Sequence, residues 1–171
     1  MDIAHAITLL KSAAADPSTG LPEEVFLLVS ELTPMVNVDL LIKDNEGRTL
    51  LTWRDDPHYE PGWHVPGGIV RFKERLEDRV RAVAREELGA GVEFGQIPLA
   101  INEVIRPDRK TRGHFVSLLY RCRLSTPPDE RQRYRSGRPR PAQWKWHAQC
   151  PDNIISVHEM YRALINAPEG L

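Results

Sequence analysis

Helical and extended periodicities alternate along this chain. Across residues 2–14 the apolar positions Ile3, Ile7, Leu10 and Ala14 recur at helical spacing, and Pro17-Ser18-Thr19-Gly20 ends the run. A second helix is expected from Pro22, a residue suited to a first helical position, through Val25, Leu28, Val29 and Leu32, ending near Pro34. The runs 36–43 and 48–53 flank Asn45-Glu46-Gly47 and read as a β-hairpin. Trp63-His64-Val65-Pro66 then ends a short strand in the pair Gly67-Gly68, where backbone can approach a ligand closely. Over Leu76–Leu88 the residues Leu76, Val80, Val83, Ala84 and Leu88 share one helical face, and Gly89 supplies the stop. Residues 97–105 and 114–124 read as strands joined by the polar turn 107–113, and 143–147 as a short returning strand. A final helix is expected over 155–167, with Val157, Tyr161, Leu164 and Ile165 inward. Without repeats or a strict strand-helix-strand rhythm, this order predicts an α/β sandwich: a mixed sheet covered by helices. Residues 1–34 form a helical extension packed on a domain spanning 35–171.

Composition narrows the partners. A chain of 171 residues with 41% hydrophobic positions supports one well-cored domain. A formal net charge of -1 gives no global attraction to nucleic acid or anionic membrane, so anion binding must be local. Cys122 and Cys150 have neither disulfide-framework nor zinc-site spacing. No basic stretch precedes an apolar run and no window approaches a membrane span, so a cytoplasmic location without membrane association is expected.

Chemistry concentrates on the helix after the glycine pair. On a helical wheel Glu87 falls within the stripe of Leu76, Val80 and Val83, while Glu86 sits at its edge near Arg79. A carboxylate turned toward a core needs a cation, a metal or a cluster of donors, because burial of an unpaired charge costs several kcal/mol. Hard oxygen ligands beside a glycine turn suit Mg²⁺, with Mn²⁺ as an alternative, bound together with diphosphate oxygens. The plainer reading is that both glutamates end an ordinary solvated helix.

The order Gly68, Glu74, Glu86-Glu87-Leu88-Gly89-Ala90 resembles the Nudix box: Gly, five residues, Glu, seven residues, Arg-Glu, an aliphatic position, one residue, Glu-Glu, one residue, Gly and an aliphatic position. Gly62-Trp63-His64-Val65-Pro66-Gly67-Gly68 looks like that family's lead-in. The departure is Ala82-Val83 in place of Arg-Glu, which removes the buttressing arginine and a glutamate that often completes the metal cluster or acts as base. Loss of that glutamate marks the GDP-mannose mannosyl hydrolase branch. The segments at Val38-Asp39-Leu40-Leu41-Ile42, Leu50-Leu51-Thr52-Trp53-Arg54, His114-Phe115-Val116 and Trp146 followed by Val157-His158 are similar to it in kind and order.

That resemblance implies a Nudix-type α/β/α sandwich and a Mg²⁺-dependent hydrolase of a nucleoside diphosphate linked to another moiety, with a nucleotide sugar such as GDP-mannose foremost. Asp39 and Arg54 match substrate-engaging positions, and Phe115 stands where a substrate-contacting tyrosine is expected. Gly67, through its carbonyl, and Glu87 match metal ligands, with Glu74 and Glu86 beside them. The arginine expected after the glycine pair is Ile69, and the branch's Gln-His pair falls at Arg140-Pro141, neither of which is a base at neutral pH. Replacement groups in the same loop are Asp129 and Glu130, with Gln143 as a weaker neutral ligand; Glu130 and Glu86 are the catalytic expectations. Three outcomes stay open: attack of water at the sugar carbon, attack at phosphorus, and a Nudix-fold protein that binds a nucleotide sugar without turnover.

Residues 125–141 carry four prolines and five arginines, Arg131, Arg133, Arg135, Arg138 and Arg140, around Tyr134. They read either as a cationic clamp for phosphates with a stacking tyrosine, or as a solvated excursion. RNA binding ranks below a nucleotide substrate because no RNA-binding motif accompanies the arginines. His64 and His114 lie in strand patterns and read as structural, His158 as a pocket wall, and Trp53, Trp63, Trp144 and Trp146 as core or wall. A homodimer through the N-terminal helices is a further expectation.

Overall fold

The computed structural model describes residues 2–168. Two sheets form the centre. Strand β1 (Met35–Ile42) is buried from Val38 to Ile42, and both of its hydrogen-bonding edges are taken: by β7 (His114–Leu124) in parallel register and by β4 (Gly67–Ile69) antiparallel. A strand covered on both faces needs a continuous apolar run, which Val38-Asp39-Leu40-Leu41-Ile42 provides except at Asp39. Strands β5 (Val92–Phe94) and β6 (Ala100–Ile105) both pair with β7, giving five strands. The smaller sheet orders β3 (Tyr59–His64), β2 (Thr49–Asp56) and β8 (Trp144–His147).

Side-chain alternation splits the core in two. Val38, Leu40 and Ile42 point at Val80, Val83 and Leu88 of helix α3 (Leu76–Leu88). Leu41, from the opposite face of β1, joins Leu51, Trp63, Leu119, Tyr161 and Ile165 in a second cluster under the C-terminal segment. Each fully buried leucine or isoleucine contributes about 1.5–3 kcal/mol. Helical layers thus cover both sides of the β structure, the α/β/α arrangement.

The expected 36–53 hairpin is not formed. Strands β1 and β2 meet at one bridge, Lys43 to Thr49, and then part into different sheets. The edge of β1 away from β7 is taken by β4 and the Pro66 carbonyl from Asn37 to Leu40, so a hairpin ladder cannot run along it. The turn itself is as read: Gly47 has a positive φ of 76°, and Asp44 accepts the Glu46 and Arg48 amide hydrogens. Lys43 is held at the divergence by the carbonyls of Gly47, Ile165 and Ala167.

Other differences are local. Strand β5 was not foreseen, being only three residues long. Strand β6 begins at Ala100, leaving Ile97 exposed. The C-terminal helix divides into a 3₁₀ segment Ser156–Tyr161 and helix α4 (Arg162–Asn166), which turns His158 inward. Pro22 caps rather than begins helix α2 (Glu23–Leu32). Helix α1 (Ile3–Ala13) buries no residue and α2 buries only Ser30. Among the described residues no helix is long and apolar enough to cross a membrane.

Candidate active site

A cleft of about 270 Å³ opens between the two sheets and the C-terminal segment, and the expected residues Asp39, Arg54, Gly67 and Phe115 all line it. Asp39 reaches it because β1 alternates: it shares a face with Leu41, turned from α3 toward Tyr161. Its carboxylate is buried and accepts three hydrogen bonds: from Asn37 Nδ2 at 2.7 Å, Tyr161 Oη at 2.7 Å and the Ser117 hydroxyl. Burial raises the Asp39 carboxyl above its ordinary range despite those three donors. Gly67 is required beside it, since a side chain there would run into the Asp39 carboxylate.

Arg54 carries the opposite charge. It pairs with Asp56 and lies over the Tyr59 ring at 4.5 Å; Arg109 covers the same ring at 4.6 Å. His158 lines the cleft with Nδ1 accepting the Val65 amide hydrogen at 3.2 Å, and burial, then the charges of His64 and Arg54, hold its pKa well below the ordinary value. The ring is therefore neutral, with its hydrogen on Nε2.

Glu87 is partly buried behind Gly67 and His64, which line the cleft; Glu74, Glu86 and Glu87 themselves do not line it. Its Oε1 accepts the Gly67 amide hydrogen at 2.9 Å, and its Oε2 accepts the Thr52 hydroxyl at 2.9 Å with His64 Nε2 at 3.5 Å. The inward carboxylate thus has the donor cluster that its burial demands. Glu74 is gripped by Arg79, Nε to Oε2 and Nη2 to Oε1 at 2.8 Å each, and also accepts the Arg71 amide hydrogen. Glu86 is half exposed and faces Arg79 Nη1 at 3.4 Å and Arg71 at 3.9 Å. Among the described residues, no three side chains of His, Cys, Asp or Glu converge as a ready metal cage.

This geometry sits on a recognisable frame. The NUDIX domain profile matches residues 33–149, well over half of the chain. The chain belongs to the Nudix family. It is 38% identical over 82 residues to the low-salt glycan biosynthesis protein Agl8 of Haloferax volcanii, covering 48% of this chain and 52% of that protein. It is 32% identical over 90 residues to an ADP-ribose pyrophosphatase of Methanocaldococcus jannaschii, covering 52% and 50%. The chain therefore spans about half the length of the curated relatives it matches. Among solved structures, a MutT NUDIX hydrolase from Burkholderia pseudomallei superposes with a TM-score of 0.59 at 24% identity, covering 77% of this chain and 97% of that one, a likeness of fold.

Within the Nudix frame, Arg79 is the residue that sequence reasoning missed. The box places its buttressing arginine at 82, where this chain has alanine; Arg79, one turn earlier, holds Glu74 instead and is 4% exposed. The available signal was its wheel position beside Val83 and Glu86. Leu76, expected inward, is 37% exposed at the first position of α3. Thr52, Ser117 and Tyr161 are further polar partners of the site that strand and core periodicity does not reveal.

The loop residues are not brought to the cleft. Glu130 lies in a 3₁₀ turn, Glu130–Gln132, facing Arg133 and Arg135 at 3.5 and 3.6 Å. That turn is fixed over the end of α3 by the Asp129 amide donating to the Leu88 carbonyl, and by Trp144 Nε1 donating to the Asp129 carbonyl. The clamp reading fails for the same reason. Tyr134 packs edge-on against Trp63 at 5.7 Å, Arg133 lies over Trp144 at 5.4 Å, and Arg131 and Arg138 face Asp129 and Asp55. The segment lies against the smaller sheet.

Proposed function

We propose that this chain is a Mg²⁺-dependent hydrolase of a nucleoside diphosphate linked to a second moiety, with a nucleotide sugar of the GDP-mannose kind as the best-fitting substrate. The observation that carries this reading is that one cleft is lined by both the buried Asp39 carboxylate and the Arg54 guanidinium. A carboxylate accepts hydrogen bonds from sugar hydroxyls, and a guanidinium fork takes two phosphate oxygens. Phe115 adds an apolar wall. The names of the two relatives, a glycan biosynthesis protein and an ADP-ribose pyrophosphatase, agree with a sugar joined through a diphosphate.

The donor set supports a metal in one place and not in another. Mg²⁺ takes one or two carboxylates together with substrate phosphates and water. The Gly67 carbonyl, Glu87, whose oxygens keep lone pairs beyond the bonds they accept, and the half-exposed Glu86 suit it. Glu74 does not, because its charge is already matched by the bidentate Arg79 guanidinium, which a cation would have to displace. When bound, the ion would neutralise diphosphate charge and lower the pKa of a coordinated water. In this reading Thr52 and the Gly67 amide orient Glu87, Arg54 holds phosphate, Asp39 orients the second moiety, and Glu86 accepts a proton from water. Glu130, outside the cleft, has no part.

A sensor that binds without turnover is the second reading, favoured by Ala82-Val83 and by Arg79 taking up Glu74. Incubation with Mg²⁺ and a panel of nucleotide sugars and ADP-ribose in ¹⁸O-labelled water decides. Label in the sugar marks attack at carbon, and label in phosphate marks attack at phosphorus. No turnover with tight binding of one panel member rejects the hydrolase. A cytoplasmic homodimer joined through Ile3, Ile7 and Leu10, exposed on one face of α1, goes with the proposal, and sedimentation tests the dimer.

A further inference from the structure

We infer that Arg112 is a second phosphate-binding residue of the cleft, set in place by helix α2, so that the N-terminal extension is a working part of the site. The inference rests on the nucleotide-diphosphate reading and deepens it.

Arg112 stands in the turn that joins β6 to β7. The turn is closed by the Arg106 amide donating to the Gly113 carbonyl at 2.7 Å. Arg112 itself has a left-handed φ of 53°, a conformation that non-glycine residues rarely adopt. Two contacts from α2 meet it there. Its backbone amide donates to Ser30 Oγ at 3.0 Å, Ser30 being the one buried residue of α2, and its guanidinium lies over the Phe26 ring at 5.3 Å.

The side chain lines the same cleft as Asp39 and Arg54, and also a shallower depression with Arg109 and Lys110. Its Nε is buried with no hydrogen-bond partner among the described residues, and burial lowers the pKa of the group. The neighbouring carboxylate, Asp56, is already bonded to Arg54. A guanidinium keeps its charge when buried, so an unfilled donor beside a second arginine calls for an anion with several acceptor oxygens. A diphosphate bridging Arg54 and Arg112 meets that demand, which neither a neutral nucleoside nor a sugar does. The alternative, a guanidinium held only by packing on Phe26 and a hydrogen bond to Tyr59, leaves the buried Nε unexplained.

Calorimetric titration of the full chain with GDP, UDP and ADP in the presence of Mg²⁺ tests the inference. Arg112→Gln is expected to weaken diphosphate binding about 10- to 100-fold with an unchanged circular dichroism spectrum. Arg112→Lys, which keeps charge without the fork, should recover part of the loss. Phe26→Leu should weaken binding to a smaller extent and Phe26→Tyr restore it, a rescue that general destabilisation would not give. Wild-type affinity in Arg112→Gln overturns the inference, as does a wild-type protein that binds none of the three diphosphates. Turnover separates the two readings. Diphosphate binding that depends on Arg112, without hydrolysis of any panel member, upholds this inference and removes the hydrolase. Hydrolysis with unaltered affinity in Arg112→Gln removes this inference alone.

Discussion

Arg79 holds Glu74 through two parallel hydrogen bonds of 2.8 Å, one turn of helix ahead of the place where the Nudix box puts its arginine. The pair has its cation 4% and its carboxylate 17% exposed, so removing one partner strands the other. Arg79→Ala is expected to cost about 2–4 kcal/mol in urea unfolding, and Arg79→Lys to recover only part, since an ammonium cannot match the fork. Burial works against the charged form of Glu74, but the Arg79 and Arg71 bonds outweigh it and hold its pKa below the ordinary 4.5. A depressed carboxylate stabilises above its unfolded pKa and loses that contribution as pH falls through the folded one. The stability gap between wild type and Glu74→Gln should therefore be full at pH 7 and shrink steadily below about pH 4.5; a gap independent of pH would reject the pairing as its source.

Glu87 makes the second prediction. It is fixed by the Gly67 amide and the Thr52 hydroxyl, so its carboxylate is oriented before any ligand arrives. Glu87→Gln is expected to lower metal-dependent turnover by at least about 100-fold, and Thr52→Val by about 10-fold through loss of orientation. Steady-state kinetics across a Mg²⁺ titration measures both. Near-normal activity in Glu87→Gln would remove the metal assignment.

How far these features could be read beforehand depends on whether their partners are near in sequence. The amphipathic stripe of α3, its Gly89 stop and the long strand β7 follow from local periodicity, and they were legible. The separation of β1 from β2 was not, because a turn signal at Asn45-Glu46-Gly47 carries no information on which distant strands claim the edges of β1. Asp39 and Gly67 could be assigned from the resemblance, yet the reason they meet, β1 against β4 at the floor of the cleft, is tertiary. Arg112 gave no local signal at all: its meaning comes from Ser30 and Phe26, some eighty residues earlier. Glu130 misled for the converse reason, since closeness in sequence to the expected base says nothing about where Asp129 and Trp144 fix the turn.

Asp39 supplies the third prediction. Burial raises its carboxyl, so ionisation is disfavoured in the fold and opposes stability at neutral pH, a penalty relieved as pH falls through the raised pKa. Asp39→Asn removes the charge and keeps an acceptor for Tyr161 and Ser117, with Asn37 free to turn its amide. Melting should therefore change little, by less than about 1 kcal/mol, while the affinity for a nucleotide sugar falls about tenfold or more. Asp39→Ala should lose both, leaving two buried hydroxyls without their acceptor. Asp39→Asn binding the sugar-linked substrate as tightly as wild type would contradict the acceptor role.

The last prediction concerns acid. His147 lies edge-on to Trp63 at 4.7 Å, its Nε2 is buried without a partner among the described residues, and burial, then the Lys145 charge, lowers its pKa from 6.5 to about 4. His158 is lowered too, by burial first. A histidine kept neutral in the fold takes up its proton more readily when unfolded. Its contribution is present above the unfolded pKa of 6.5 and is lost as pH falls from there toward the folded value. At about 1.4 kcal/mol per pH unit, His147 alone removes about 2 kcal/mol between pH 7.5 and 5, or a drop of about 4–8 °C in Tm for a chain of this size. His147→Phe keeps the ring against Trp63 and cannot be protonated, so its melting temperature should fall by correspondingly less over the same interval. An identical fall in wild type and His147→Phe would place the acid sensitivity elsewhere, with His158→Gln the next variant to melt.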